Sequence, residues 1–344
     1  MKVYSASEAV WPALERTYTY LFRSFRWETF LKLSCVATLC EGFLVSFRFY
    51  IPASLPFNVN LRAWQSFLFA RDFLPVTIFA AAALFLIGIY CFYLVTRLRF
   101  AFVHSLIHQT RQIRKAGKLY AIDAERFFSA SMGVWLVLLV ALALVVVLVV
   151  IASYTVFAAR TPEGKLDPGN FLMLFIPCIG AVFVLILAAC SAQIVLNDFI
   201  LPHMAVEGTP FPKAWEAVRE RIRANSETFL SYFILRLAMP IAAGIVLGLL
   251  AWIVGWIVFG ILGMSAAGFT AMLDGTTDGR ALVLKAIQSL FLVLGFATGS
   301  VLAAAFGGPI SVFMRSYALF FYGGHYKPLG NLLNPQVSAA NVVD

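Results

Sequence analysis

The stretch GVWLVLLVALALVVVLVVIASYTVFAA (Gly133–Ala159) decides the fold class, because it carries no charged residue over a length that crosses a bilayer. A membrane-spanning α-helix needs about 20 predominantly apolar residues. The whole chain of 344 residues is 61% hydrophobic and 12% charged, whereas a soluble domain carries about 25% charged residues. The composition therefore predicts an all-α protein, a polytopic transmembrane helical bundle.

Apolar segments of this kind recur along the chain. They lie at about Phe30–Phe47, Leu74–Thr96, Gly133–Phe157, Phe171–Leu196, Phe229–Leu262 and Ala286–Val312. If the termini and the even-numbered loops share one side, that side holds 18 of the 26 lysines and arginines. Basic residues concentrate in cytoplasmic loops, so we predict about six spans with both termini in the cytoplasm.

One short string stands before three of these segments. It reads ETFL at Glu28–Leu31 and at Glu227–Leu230, and ERFF at Glu125–Phe128. A glutamate at a helix N-terminus interacts favourably with the helix dipole, and we expect the phenylalanine to mark the start of the acyl region. The repeat predicts one transmembrane domain, 1–330, of three hairpin-like units (about 1–100, 101–200 and 201–325), followed by a mobile C-terminal tail, 331–344.

Amphipathic stretches precede the string and predict interfacial helices. Helical spacing places on one face Trp11, Leu14, Tyr18, Leu21 and Phe25 in the first stretch, and Phe211, Trp215, Val218 and Ile222 in the last. The middle stretch has instead a cationic stripe, His104, His108, Arg111, Lys115 and Lys118, which Gly117 could interrupt.

With Arg219 and Arg223, that stripe forms a candidate surface for anionic lipid headgroups or an acidic partner. The simpler alternative is that these charges only set the topology. The pair His104 and His108 has metal-ligand spacing, but cations surround it and a third ligand is missing nearby, so an electrostatic surface is favoured and no cofactor or metal is expected.

Polar residues inside the apolar segments form a candidate intramembrane site. Arg236 and Glu41 are the two strongest anomalies, since an intramembrane charge costs several kcal/mol unless it is paired or reaches the boundary. Arg236 could pair with Glu41, with Asp198 or with a lipid phosphate, and Gln193 completes the candidate set. A structural pair is favoured over a translocation site.

The last two apolar segments are irregular. Either Pro240 kinks the 34-residue segment Phe229–Leu262, or the ends of the segment extend past the lipid. The motif FGGPI (Phe306–Ile310) should end the final span, and the sequence SVFMRSYALFFYGGHY after it resembles a further interfacial helix.

One stretch carries a family resemblance, LNDFILPHMAVEGTPFPKAWEAVRERIRANSETFLSYFIL (Leu196–Leu235). Its features are Pro202 and Met204 at the end of a span, Glu207-Gly208, an amphipathic helix around Ala214-Trp215, and Asn225 before the next span. It resembles uncharacterised bacterial multi-pass membrane proteins related to the membrane domain of glycerophosphodiester phosphodiesterases. The resemblance implies a helical bundle in the bacterial cytoplasmic (inner) membrane and no activity, because the catalytic soluble domain is absent.

The sequence contains no nucleotide-binding, hydrolase or metalloprotease motif. We therefore expect a non-enzymatic accessory or scaffolding subunit that interacts with lipids, a membrane-protein partner or a second copy, and no nucleic acid. A transporter or permease for a small solute or lipid is the alternative. A lipid-modifying enzyme is the third hypothesis, and it lacks an acid–base pair at an interface.

Overall fold

The computed structural model describes residues 4–23, 25–47, 74–110, 112–158, 168–246, 249, 253 and 278–333, and all regular structure in these ranges is helical. The long helices are α2 (Trp27–Phe47), α3 (Leu74–Ile107), α5 (Ala121–Ala158), α6 (Pro168–Ile194), α9 (Ser226–Val246) and α10 (Asp278–His325). The short helices are α1 (Val10–Phe22), α4 (Ile113–Leu119), α7 (Leu201–Glu207), α8 (Phe211–Ala224) and α11 (Lys327–Leu333). A π-helical segment, Val195–Ile200, joins α6 to α7 without a break.

Within the described residues, five helical stretches are long and apolar enough to cross a membrane. They are Pro75–Ile107, Ala121–Ile151, Ile176–Glu207, Ser226–Val246 and Ala297–His325. The all-helical class and the membrane assignment therefore agree with the sequence analysis. The first predicted span corresponds to α2, which is not among these five, and six spans with cytoplasmic termini stay a prediction.

Buried side chains concentrate at one end of the helices. We call this region the base: α1, α4, α8, α11 and residues 27–40, 98–107, 120–127, 194–207, 226–235 and 311–326. Toward their other ends the helices expose large apolar side chains. We call these stretches the apolar arms: residues 76–94 of α3, 136–151 of α5 with Tyr154, 176–187 of α6, 241–246 of α9 and, in α10, Leu290, Val293, Leu294 and Val301. The base thus has a packed interior like that of a soluble domain, and the arms present the surface that lipid would cover.

Helix α10 is continuous, so the predicted break at FGGPI is wrong. Pro309 lies inside the helix, and Gly308 is buried where α10 crosses α2. A Cβ atom added to Gly308 would lie 2.2 Å from the Cβ of Ser34. The glycine is needed for a close helix crossing, as small residues are in membrane helix pairs.

The stretch after Pro309 is also not interfacial. Val312, Tyr317 and Tyr322 are all fully buried, and α1, α2 and α11 pack against this helix. A helix that is apolar on all sides belongs in a core. These residues therefore form the centre of the base.

Helix α1 has two apolar faces rather than one. Ala13, Thr17 and Tyr20 are buried on the side that packs against α10. On the opposite side Trp11 is 73% exposed and Tyr18 66%. The predicted face therefore points away from the protein, except for Leu21, which is buried.

The repeated string marks equivalent positions in the base. Glu28 and Glu227 lie in the first turns of α2 and α9, and Glu125 is the fifth residue of α5. The phenylalanines at the third position, Phe30, Phe127 and Phe229, are buried in the core. Each of these rings packs into the protein, and the start of the acyl region at this level stays a prediction.

The predicted cationic stripe does not lie on one helix. Helix α3 ends at Ile107 and α4 begins at Ile113, and Gln109 has a positive φ of 53° between them. The interruption is therefore at this turn and not at Gly117, which lies inside α4. Arg111 is outside the described residues.

Two other predictions fall at the edge of the described ranges. Helix α9 includes Pro240, and most of the segment from 247 to Leu262 lies outside the described residues. The predicted tail starts at 331, but α11 continues to the buried Leu333. Residues 334–344 lie outside the described part.

Candidate functional site

Five charged side chains from five helical segments meet where the base joins the apolar arms. They are Glu41 of α2, Arg99 of α3, Asp198 of the π-helical segment, Arg236 of α9 and Arg315 of α10. Arg99, Asp198, Arg236 and Arg315 each lie about 8 to 10 residues from the helix end in the base, or about 12 to 15 Å at the usual α-helical rise. The shared depth is what allows helices of opposite direction to bring these side chains together.

Four of these residues form a closed ring of ion pairs. Arg236 donates from Nη2 to Glu41 Oε2 at 2.9 Å and from Nε to Asp198 Oδ2 at 2.8 Å. Arg315 Nη2 lies 2.5 Å from Glu41 Oε1, and its Nη1 lies 3.5 Å from Asp198 Oδ1. Each carboxylate bridges both arginines, so the four charges balance. We call these four residues the charge ring.

The π-helical segment supplies two consecutive residues to this site. Asp198 accepts a further hydrogen bond from Tyr232 Oη at 2.9 Å. The neighbouring Asn197 accepts from Arg315 Nη1 through its backbone carbonyl at 2.7 Å. Helical segments of the π type are often found at functional sites. Here the segment holds Asp198 and Asn197 against the same arginine.

Arg99 is the fifth charge and stands outside the ring. Its Nε donates to the carbonyl of Cys40 at 2.8 Å, and its Nη1 donates to Asn197 Oδ1 at 3.0 Å. Both acceptors are neutral. The five groups therefore carry a formal charge of +1 when all are ionised.

The structure brings together most of the sequence-derived intramembrane set. Glu41, Asp198 and Arg236 are direct neighbours, so Arg236 uses both of the carboxylates that the sequence offered as alternatives. Gln193 takes part through its backbone carbonyl, which accepts from Asn197 Nδ2 at 2.9 Å.

Sequence reasoning missed Arg99, Arg315, Asn197 and Tyr232. Arg99 and Arg315 are among the 18 basic residues counted on the side of the termini and even-numbered loops, yet both lie inside continuous helices and are buried. The available signal was that Arg315 is a lone charge in a long aromatic stretch, which is typical of an internal residue.

A second polar cluster lies in the base, nearer the helix ends. His203 Nδ1 is 3.2 Å from Tyr322 Oη, and its Nε2 is 3.4 Å from Glu207 Oε2. Tyr326 donates to Glu207 Oε1, and Arg221 lies over the ring of Tyr326 at 4.8 Å. Burial, then the hydrogen bond to Glu207, raises the pKa of Tyr326. This cluster fastens α8 and the junction between α10 and α11 to α7.

The candidate lipid or partner surface is only partly continuous. His104 Nδ1 is 3.0 Å from Tyr120 Oη, and the rings of His104 and His108 are 4.4 Å apart. The other described members of this surface, Lys115, Lys118, Arg219 and Arg223, are exposed. Among the described residues no group of three or more His, Cys, Asp or Glu side chains is placed to hold a metal ion.

The comparison with protein families gives a match over nearly the whole chain. The profile of a family of unknown function, DUF7544, matches residues 4–332. The chain belongs to the DUF7544 family. No curated protein and no solved structure matches it. The resemblance to the membrane domain of glycerophosphodiester phosphodiesterases has no support in these comparisons.

Proposed function

We propose that this DUF7544 protein is a non-enzymatic accessory or scaffolding protein of the bacterial cytoplasmic membrane, with six spans and both termini in the cytoplasm. In this role the base is a rigid cytoplasmic platform that binds partner proteins or anionic lipids. The apolar arms anchor it in the bilayer.

The closed charge ring is the observation that carries this proposal. Each carboxylate of the ring is bonded to two arginines of the same chain. Its charges are therefore used for holding helices together rather than for binding a passing substrate. Buried ion pairs of this kind favour one arrangement of the chain, because a mispaired charge in the membrane is costly.

The outer surface of the base offers material for partner binding. Helix α1 exposes its aromatic face, and α8 exposes Trp215 beside Lys213 and Arg219. At the end of α4 and just beyond it, Leu119 and Ile122 are exposed beside Lys118. Exposed apolar side chains flanked by basic residues suit an anionic membrane surface or an acidic protein.

The test is purification of the tagged full chain from native membranes in mild detergent, followed by native mass spectrometry. We expect a stoichiometric protein partner or a second copy. The partner should be lost in the charge-reversal variant Arg219→Glu with Arg223→Glu, and kept in the control Glu216→Gln with Glu220→Gln. A chain that purifies alone with a reproducibly bound solute would contradict the scaffold proposal.

A transporter is the second candidate, and the ionised residues inside the helices are the observation that favours it. Ionisable residues in membrane helices often mark a substrate or ion path, and a π-helical segment is the kind of irregularity that can rearrange. Glu41, Asp198 and Arg236 would form the gate. In this case counterflow in proteoliposomes would detect a solute, and Glu41→Gln would abolish its flux while the protein still folds.

A further inference from the structure

The charge balance of the intramembrane site leaves one arginine without a directly bonded carboxylate. Arg236 and Arg315 are matched by the two carboxylates of the charge ring, and Arg99 is bonded to a carbonyl and an amide oxygen. A buried positive charge needs a negative partner, because the cost of removing it from water is otherwise several kcal/mol. Among the described residues, neither Glu41 nor Asp198 makes an ion pair with Arg99.

Arg99 lies beside Arg315, and this proximity adds to the local excess of positive charge. Asn197 accepts from Arg99 through its side chain and from Arg315 through its backbone carbonyl. Two guanidinium groups are thus held on one residue and repel each other. The Nε atom of Arg315 is also buried without a hydrogen-bond partner among the described residues. An anion at this place would separate two like charges and could accept more than one N–H donor.

Arg99 lies at the height at which a short basic helix, α4, packs against α3. Helix α4 packs beside α3 at this height: Arg97 Nε donates to the carbonyl of Gly117 at 2.8 Å, and Gly117 lies next to Ala101. Helix α4 and the residues after it are amphipathic, with Lys115 and Lys118 exposed and Leu119 and Ile122 exposed beside them. A basic amphipathic helix of this type lies at the boundary between headgroups and acyl chains.

We propose that Arg99 binds the phosphate of an acidic phospholipid or, as the same chemistry from another source, a free phosphate ion. Arginine presents a planar fork of N–H donors that matches phosphate oxygens, and bonds between two charged groups are about twice as strong as neutral ones. Only 8% of the Arg99 surface is exposed, so a bound phosphate would contact the guanidinium through this small exposed part. This inference requires the membrane placement of the helices and does not depend on the scaffold role.

The first experiment uses the full wild-type chain in nanodiscs made of equal parts phosphatidylglycerol and phosphatidylcholine. After release into detergent, native mass spectrometry counts the phospholipid that remains bound. We expect one phosphatidylglycerol per chain, retained at least fivefold over phosphatidylcholine. Equal retention of the two lipids, together with no effect of free phosphate, would overturn the proposal without the need for any variant.

The second experiment compares variants at one site and its neighbour. Arg99→Gln keeps hydrogen-bond donors and removes the charge. Because one charge-assisted bond is lost, we expect phosphatidylglycerol to bind about tenfold more weakly. Arg99→Lys keeps the charge and should lose less than Arg99→Gln. Arg97→Gln removes an arginine two residues away that bonds to Gly117, and binding should stay within about twofold of wild type. Equal losses of binding in Arg99→Gln and Arg97→Gln would assign lipid binding to the general basic surface and overturn the site. Unchanged binding in Arg99→Gln would also overturn it.

A third measurement distinguishes the two sources of phosphate. Sodium phosphate and sodium chloride at equal ionic strength are added to delipidated protein, and the melting temperature is recorded. A rise in melting temperature that only phosphate produces, and that disappears in Arg99→Gln, supports a free phosphate site. If phosphatidylglycerol is retained and no such rise occurs, the lipid is supported. A rise of the same size in both salts, with no lipid selectivity, contradicts both.

Discussion

The base and the apolar arms are both rich in large apolar side chains, but the base buries them and the arms expose them. Helix α5 shows the contrast within one element: Phe127 is fully buried, while Leu148, about six turns further along, is 64% exposed. Lipid tails are as apolar as leucine, so helices in a bilayer gain little by packing apolar side chains together. The base, which has aromatic clusters and charges, needs specific contacts instead. The contacts that specify this fold are therefore concentrated at one end of the helices.

The charge ring lies where the two regions meet, and the largest expected effect comes from changing its charge balance. Asp198→Asn leaves three arginines with one carboxylate, an excess of two positive charges. Leaving buried charges unpaired costs about 3–5 kcal/mol. We expect a loss of this size in the free energy of unfolding, measured by SDS titration in mixed micelles.

The control for this substitution is Asp123→Asn, which removes a carboxylate 4.0 Å from the exposed Arg126. A surface pair of this kind contributes about 0 to 1 kcal/mol. If Asp198→Asn unfolds at the same SDS fraction as this control, the ring does not hold the base together.

The close crossing of α2 and α10 gives the next largest effect. Gly308→Ala places a methyl group where Ser34 already lies, and we expect a destabilisation of about 1–3 kcal/mol from overpacking. In contrast, a Cβ added to Gly244 of α9 meets nothing within 4 Å. Gly244→Ala should be neutral or stabilise by up to about 1 kcal/mol. Thermal unfolding of both variants in the same detergent checks the sign; a reversed order would show that this crossing is not tight.

Sequence reasoning predicted the long helices well, because their apolar runs are long and contain few charges. It also identified Glu41, Asp198 and Arg236, since a charge within an apolar run stands out against its neighbours. It did not identify Arg99 and Arg315. These two residues lie beyond the hydropathy boundary but still inside continuous helices, and hydropathy cannot distinguish a buried helix end from a loop.

The missed break at Pro309 has a related cause. Glycine and proline usually end a helix, but at Gly308 a tertiary contact with Ser34 explains the glycine, and the helix continues. The face of α1 was read correctly as a periodic stripe. Which face of α1 packs against the protein could not be predicted. The small residues Ala13 and Thr17 on the other side form a second packing surface, and a hydrophobicity pattern does not identify it.

Arg16 should have a smaller effect, limited to α1. Its Nη2 lies 3.4 Å from the carbonyl of Ile107 at the end of α3 and 3.4 Å from that of Leu333 at the end of α11. A cation is favourable at helix C-termini, and burial lowers the pKa of Arg16 without removing its charge near neutral pH. Arg16→Ala should cost about 1 kcal/mol and speed amide hydrogen exchange in α1. Substitution of the neighbouring exposed residue, Glu15→Ala, is the control. Equal amide hydrogen exchange in both variants would show that Arg16 does not hold α1 to the ends of α3 and α11.

The smallest effect is expected in the apolar arms. Leu148→Ala removes a side chain that lipid contacts in the folded state and also after the helices separate within the membrane. The transfer term that makes core substitutions costly is therefore absent, and the free energy of unfolding should change by less than about 0.5 kcal/mol. Phe127→Ala on the same helix should cost about 3–5 kcal/mol.

A cost at Leu148 comparable to that at Phe127, seen in SDS titration of the same preparation, would mean that this arm packs against another protein surface. Repeating the titration over a tenfold range of protein-to-lipid ratio would then show whether that surface belongs to a second copy of the chain, because only self-association makes the cost depend on its concentration.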